Sequence, residues 1–338
     1  MPRAAPSRSA SFGPVTMALA AGLLLAASSS AQRAPASEPT AAPARVPYAA
    51  PRTPWGDPDL QGMWPSGSLI TVPFERPQEL GTRAVLSAEE LSARTASVGA
   101  ALDGGPGIAP PTHWLEVGRA PALASLVIDP PDGRLPPQTA DGARRAAEWR
   151  TRAASNYSYA GPEDLRPYDR CITRGVLGSA FPNIYSTGMR ILQAPGLIVF
   201  LHEMIHETRV IPLDGRPHLS EAIRSYMGDP RGRWEGDTLV VETTNFNGQT
   251  GSYGRNGDGN PTSEALRLVE RFRLSDAGTL QYEVRVEDPQ TWTRPWSVAF
   301  PLSRDEGYAM YEYACHEGNY AMTNMLTGAR AADRAGGR

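Results

Sequence analysis

The chain has 338 residues, with 33 basic and 36 acidic side chains and a formal net charge of −3. That balance, with no basic stripe, excludes the electrostatic footprint of a nucleic-acid-binding protein. Every one of the 33 basic residues is arginine, and the absence of lysine removes Schiff-base chemistry and a lysine general base.

Arg3 and Arg8 form a positive start, Val15 to Ala27 a short apolar run, and Ser29-Ser30-Ala31 a small-residue cleavage site. Residues 1–31 therefore read as a secretory signal peptide, and the mature protein is expected in the periplasm or outside the cell. No other segment reaches the roughly 20 apolar residues of a membrane-spanning helix. Residues 32–52 are rich in Ala, Pro and Arg without apolar periodicity and read as a disordered linker. Residues 53–335 then form one domain, of a size that supports one sizeable core.

The domain opens at Thr53-Pro54-Trp55-Gly56-Asp57-Pro58-Asp59-Leu60-Gln61-Gly62-Met63-Trp64, where Gly62-Met63-Trp64 matches the start of the first strand in many lipocalin-type barrels. Ser87 is placed to cap a helix over 88–102, with Glu90 completing a capping box. A short strand is expected over 125–129 and a polar surface helix over 141–154. Cys171 and Cys315 form an even pair in an exported chain and read as one disulfide, tying the segment before the barrel to its last strand.

From residue 188 the pattern becomes that of strands: 189–194, 197–213, 233–235, 238–246, 265–274, 279–288, 296–302 and 308–315. Short turns join several of them. Sequential hairpins with one long curved strand predict an antiparallel up-and-down, lipocalin-like barrel. An irregular, partly helical N-terminal wrap and a short C-terminal helix over 320–332 complete the expected fold. The stretch Asn256-Gly257-Asp258-Gly259-Asn260 lacks the spaced carboxylates of a calcium loop and reads as a hairpin loop over the barrel mouth.

Within the long strand, His202-Glu203-Met204-Ile205-His206 spells H-E-x-x-H. A zinc hydrolase needs both histidines on one helical face. Here the flanks, Leu197 to Leu201 and Thr208 to Leu213, favour a strand, and no helix cap precedes them. On an extended strand the two imidazoles stand roughly 13 Å apart, too far to share one metal ion. The expectation is no cofactor, with zinc on His202 and His206 as the alternative.

Glu270 interrupts an otherwise apolar face formed by Leu266, Leu268, Phe272 and Leu274, so it is expected to point inward, where a carboxylate must be paired or neutral. His206 and Glu270, with Glu312 and His316 at the same barrel end, are the candidate acid–base groups. Arg174 and Arg209 are candidates to neutralise a carboxylate or hold an anion, and Phe200 and Tyr282 to line the ligand site.

The opening motif together with Gly232-Arg233-Trp234-Glu235-Gly236-Asp237-Thr238-Leu239-Val240-Val241-Glu242-Thr243-Thr244-Asn245-Phe246 and Tyr311-Glu312-Tyr313-Ala314-Cys315-His316-Glu317-Gly318-Asn319-Tyr320 resembles a large family of uncharacterised exported bacterial proteins. The resemblance runs from about residue 53 to the C-terminus and implies no activity. Members of that family tend to carry another residue where His202 stands, which implies that the H-E-x-x-H match is accidental in this chain.

Taken together, the sequence predicts a secreted protein acting on a small, partly apolar molecule. The leading expectation is a metal-independent lyase, isomerase or hydrolase using His206 and Glu270. A non-catalytic binding or carrier protein and a zinc hydrolase are the alternatives. The oligomeric state is left open.

Overall fold

The structure, a computed structural model, describes residues 48–104, 116, 118–154, 159–251 and 260–336. The expected signal peptide, residues 32–47 of the linker and residues 256–259 of the glycine-rich loop lie outside the described residues.

The chain is mainly antiparallel β. Strands β1 (Gly62–Met63), β3 (Met189–Ala194), β4 (Leu197–His202) and β5 (Thr208–Pro212) form a four-stranded sheet in the order β1-β3-β4-β5. Strand β2 (Val127–Asp129) sits at the edge of a six-stranded sheet with β6 (Asp229–Glu235), β7 (Thr238–Thr244), β8 (Arg267–Asp276), β9 (Thr279–Glu287) and β10 (Trp296–Ser303). Its order, β2-β10-β9-β8-β7-β6, contains the expected meander of sequential strands. Among the described residues the ladders form two sheets and not one closed ring.

Period-two burial drives this architecture. On β8 the side chains of Leu268, Glu270, Phe272 and Leu274 are buried, and on β9 those of Leu280, Tyr282, Val284 and Val286. Both sheets contribute to one core, where Phe200 meets Phe272 at 4.8 Å and Tyr282 bridges Phe272 (4.9 Å) and Phe300 (5.1 Å). Aromatic pairs at such centroid distances add to area burial. Phe200 and Tyr282, expected to line a ligand site, are packed into this core.

Among the described residues, four α-helices accompany the sheets: α1 (Ala88–Gly104), α2 (Ala140–Ala154), α3 (Gly175–Ala180) and α4 (Tyr320–Arg334). The capping box before α1 forms as expected, with the Ser87 amide donating to Glu90 (2.8 Å) and the Glu90 amide donating to Ser87 Oγ (3.2 Å). Asn319 caps α4 by accepting from the Met322 amide. At the start of the described chain, Ala50 is buried and Tyr48 packs on the core, so residues 48–52, read as linker, lie against the domain.

Two expected strands are corrected. Residues 197–213 are not one curved strand but a hairpin, β4 pairing with β5 through Phe200↔Arg209 and Ile198↔Ile211. The reversal occupies 203–207, where Ile205 (φ 59°) and His206 (φ 45°) take left-handed backbone, and it closes with the His202 amide donating to the Glu207 carbonyl. β-Branched residues rarely adopt that region, so no turn residue announced the bend. Residues 308–315 are not a strand. They form an extended strap without a ladder partner, so the disulfide ties Cys171 to this strap and not to a last strand.

Candidate functional site

The hairpin decides which side chains enter the core. Had 197–213 been one strand, Val210 would share the face of Phe200. After the reversal Arg209 and Ile211 point inward, and Val210 is exposed. Arg209 on the four-stranded sheet thus meets Glu270 on the six-stranded sheet. Its Nη1 donates to Oε1 at 3.0 Å and its Nη2 to Oε2 at 2.6 Å, with side-chain exposures of 2% and 0%. Nη2 also donates to Thr243 Oγ1 at 3.3 Å, and the Tyr282 hydroxyl donates to Glu270 Oε1 at 3.2 Å. Burial and the adjacent Glu270 charge push the Tyr282 hydroxyl well above its ordinary range, so it stays protonated. Burial alone would lower Arg209, but the charge and hydrogen bonds of Glu270 outweigh it and raise it. Both oxygens of Glu270 are therefore engaged by partners that hold their protons.

His202 lies beside this pair. It is buried, and burial together with the Arg209 and Arg174 cations depresses its imidazole to about 3. Two cavities of about 10 Å³ flank it, one shared with Arg174, Ser179 and Asn183, the other with Arg209, Glu270 and Tyr282. Each has room for about one water. Nearby, Glu207 accepts from the Thr173 hydroxyl, and burial pushes its carboxyl upward.

The two histidines of the H-E-x-x-H segment fall on opposite sides of the bend. His206 is exposed, its Nδ1 3.1 Å from the Tyr313 carbonyl oxygen. The motif forms strand and bend, not the helix that a two-histidine metal face requires. Among the described residues, no group of three or more His, Cys, Asp or Glu side chains is placed to hold a metal ion. Glu203 instead anchors the strap. Its carboxylate accepts from the Tyr308 hydroxyl (2.5 Å) and the Tyr311 amide (3.2 Å). Tyr308 Oη also lies 3.0 Å from a Glu116 carboxylate oxygen, and burial followed by the Glu203 hydrogen bond raises its hydroxyl. Glu312 and His316 are exposed on the strap near the disulfide and do not join Glu270. Of the six expected catalytic and cationic residues, the fold brings together Arg209, Glu270 and, at the neighbouring cavity, Arg174.

A larger space lies elsewhere. A cleft of about 420 Å³ opens between α2, residues 159–170, the segments at 248–249 and 261, and α4. Its walls include Trp149, Leu165, Pro167 and Met325, with Arg145, Arg166 and Arg170 among its polar groups. Helix α2 is set against the domain by Arg145, which donates to the Gln290 carbonyl (3.0 Å) and Thr291 Oγ1 (2.7 Å). Helix α4 is held by Arg330 donating to the carbonyls of Tyr159 and Ala160. A second, more open depression of about 430 Å³ lies beside Cys171, Tyr313 and Cys315.

Sequence reasoning missed this cleft. One signal was present. Trp149 is the sole aromatic on a helix otherwise read as a polar surface element, and it shares a face with Gly142, Arg145 and Ala146. Comparison with protein-family models, curated proteins and solved structures returned no match.

Proposed function

We propose that the protein is an exported binding or carrier protein for a small, partly apolar molecule. The observation that carries this reading is the enclosure of Glu270. A carboxylate that is 0% exposed, with both oxygens engaged by a buried guanidinium and one of them also by a protonated phenol, is shut off from the proton of a substrate. His206, its expected partner, lies outside the core, and His202, depressed to about 3, is a weak base at neutral pH.

Room supports the same reading. The interior cavities hold about one water each, whereas the outer cleft, at about 420 Å³, falls within the roughly 300–1,000 Å³ of small-molecule sites. Export is supported by the Cys171–Cys315 disulfide and by the absence, among the described residues, of any helix long and apolar enough to cross a membrane. A lipocalin-like closure of the two sheets is part of the proposal. It is supported where Gly232 of β6 gives space to Leu213 and Ile211 beside β5, and where the Asp305 amide, just past β10, donates to the Met63 carbonyl of β1 at 3.0 Å. Arg304 stacks over Trp64 at the same seam, 4.5 Å from the ring centroid.

The test is recovery. The mature protein is incubated with a mixture of small amphipathic compounds, separated from free compound, and extracted for mass analysis. Compounds recovered unchanged, at up to one per chain, support binding. Compounds transformed in excess over the protein, with transformation lost in Glu270→Gln, would instead establish the acid–base enzyme.

A further inference from the structure

Arg170 singles out the chemistry of the outer cleft. It lines the cavity with Nε buried and without a hydrogen-bond partner. Among the described residues its guanidinium makes no ion pair or side-chain hydrogen bond. The Nε of Arg145 is likewise buried without a partner, but the cleft's other arginines are engaged through their remaining nitrogens. Arg145 is engaged by Gln290 and Thr291, and Arg166 is paired with Asp169 at 2.8 Å. Of the carboxylates facing the same space, Asp169 belongs to Arg166, Asp164 accepts from the Ala160 and Gly161 amides, and Glu148 is paired with Arg144. Glu163 is exposed at the edge.

A half-buried guanidinium with one N–H turned away from solvent and lacking an acceptor is a standing cost unless an anion arrives. Trp149, Leu165, Pro167 and Met325 line the same cavity and supply apolar wall. An apolar lining that includes an aromatic residue, in a cavity that also holds a cation, favours a flat ring carrying one negative group.

We propose that this cleft binds a small aromatic monoanion, its carboxylate or sulfonate on Arg170 and its ring against Trp149 and Met325. The inference rests on the binding reading above and names the ligand class. The negative group replaces water at the guanidinium, and the ring covers the apolar wall. No bond is made or broken.

Two probes of similar size separate the contributions: 8-anilinonaphthalene-1-sulfonate, which carries one sulfonate, and the uncharged N-phenyl-1-naphthylamine. Each is titrated calorimetrically into the mature, disulfide-intact protein and into Arg170→Gln and Met325→Trp, with circular dichroism and thermal midpoints confirming that the variants fold. Loss of a charge-assisted hydrogen bond weakens binding by about 10-fold or more. The expected result is therefore sulfonate affinity reduced by about that factor in Arg170→Gln, the uncharged probe changed by less than about 2-fold, and both blocked when Met325→Trp fills the cleft. If both probes bind, are blocked by Met325→Trp and are indifferent to Arg170→Gln, the anion inference is overturned while small-molecule binding stands. If neither variant alters binding of either probe, the cleft is not the site and the inference is overturned. The recovery experiment then decides the binding reading separately.

Discussion

Replacing Glu270 by Gln tests whether this carboxylate is a counter-ion. The change keeps size and shape but removes the charge facing Arg209, which is 2% exposed and, among the described residues, pairs with no other carboxylate. One amide oxygen still accepts from Nη1 or Nη2. The amide nitrogen then faces a guanidinium N–H, donor against donor. Two charge-assisted bonds at 3.0 and 2.6 Å are weakened or lost. Breaking one side of a buried pair costs about 3–5 kcal/mol. For a domain of this size that lowers the thermal midpoint by roughly 6–20 °C. The paired replacement Arg209→Met with Glu270→Leu removes both charges and should recover most of the loss, since well-packed apolar pairs often match buried ion pairs. Urea denaturation with matched m-values measures both. A Glu270→Gln stability within about 1 kcal/mol of the parent would refute the counter-ion argument.

Three further outcomes follow from the same geometry. Below pH 6.5, the ordinary imidazole value, the unfolded chain binds a proton that folded His202 refuses until about pH 3, so stability should fall as pH drops through that window. The slope is about 1.4 kcal/mol per pH unit, and His202→Asn should flatten it when denaturation is followed from pH 7 to 4.5; an unchanged slope would contradict the buried neutral imidazole. Cys171→Ala with Cys315→Ala opens a loop of 144 residues, so chemical denaturation should show a loss approaching about 5 kcal/mol by chain entropy, and no loss would contradict the bridge. A Cβ at Gly188 would lie 2.6 Å from Tyr308 and 3.0 Å from Glu203, so Gly188→Ala should cost about 1–3 kcal/mol and speed proteolytic cleavage of the strap at 308–315. Unaltered cleavage would show that Glu203 and Tyr308 do not hold the strap.

How much of this was legible in the sequence depended on whether the signal was local. The meander strands were readable because Leu268, Phe272, Leu274 and Leu280, Tyr282, Val284 alternate with charge, and the inward direction of Glu270 followed from the same alternation. The α1 capping box was readable because Ser87 and Glu90 are three residues apart. The bend at 203–207 was not, because its left-handed residues are Ile205 and His206 and not Gly or Asn. Missing it concealed how Arg209 turns inward, although Arg209 was already one of two candidates to neutralise a buried carboxylate. The strap at 308–315 resembled a strand through its aromatic residues, but its hydrogen bonds run through Tyr308, Tyr311 and Tyr313 to the bend and the Tyr168 loop, contacts no local pattern encodes. The outer cleft gathers segments spread between residues 145 and 325, so Arg170 and Met325, 155 residues apart, carried no joint signal.

The measurement closest to the central claim is native mass spectrometry of the mature protein, isolated from an oxidising compartment without denaturant and then exposed to small aromatic carboxylates. The account predicts one organic adduct per chain, released on unfolding and absent from Met325→Trp. A bare chain mass under every loading condition would contradict a binding function.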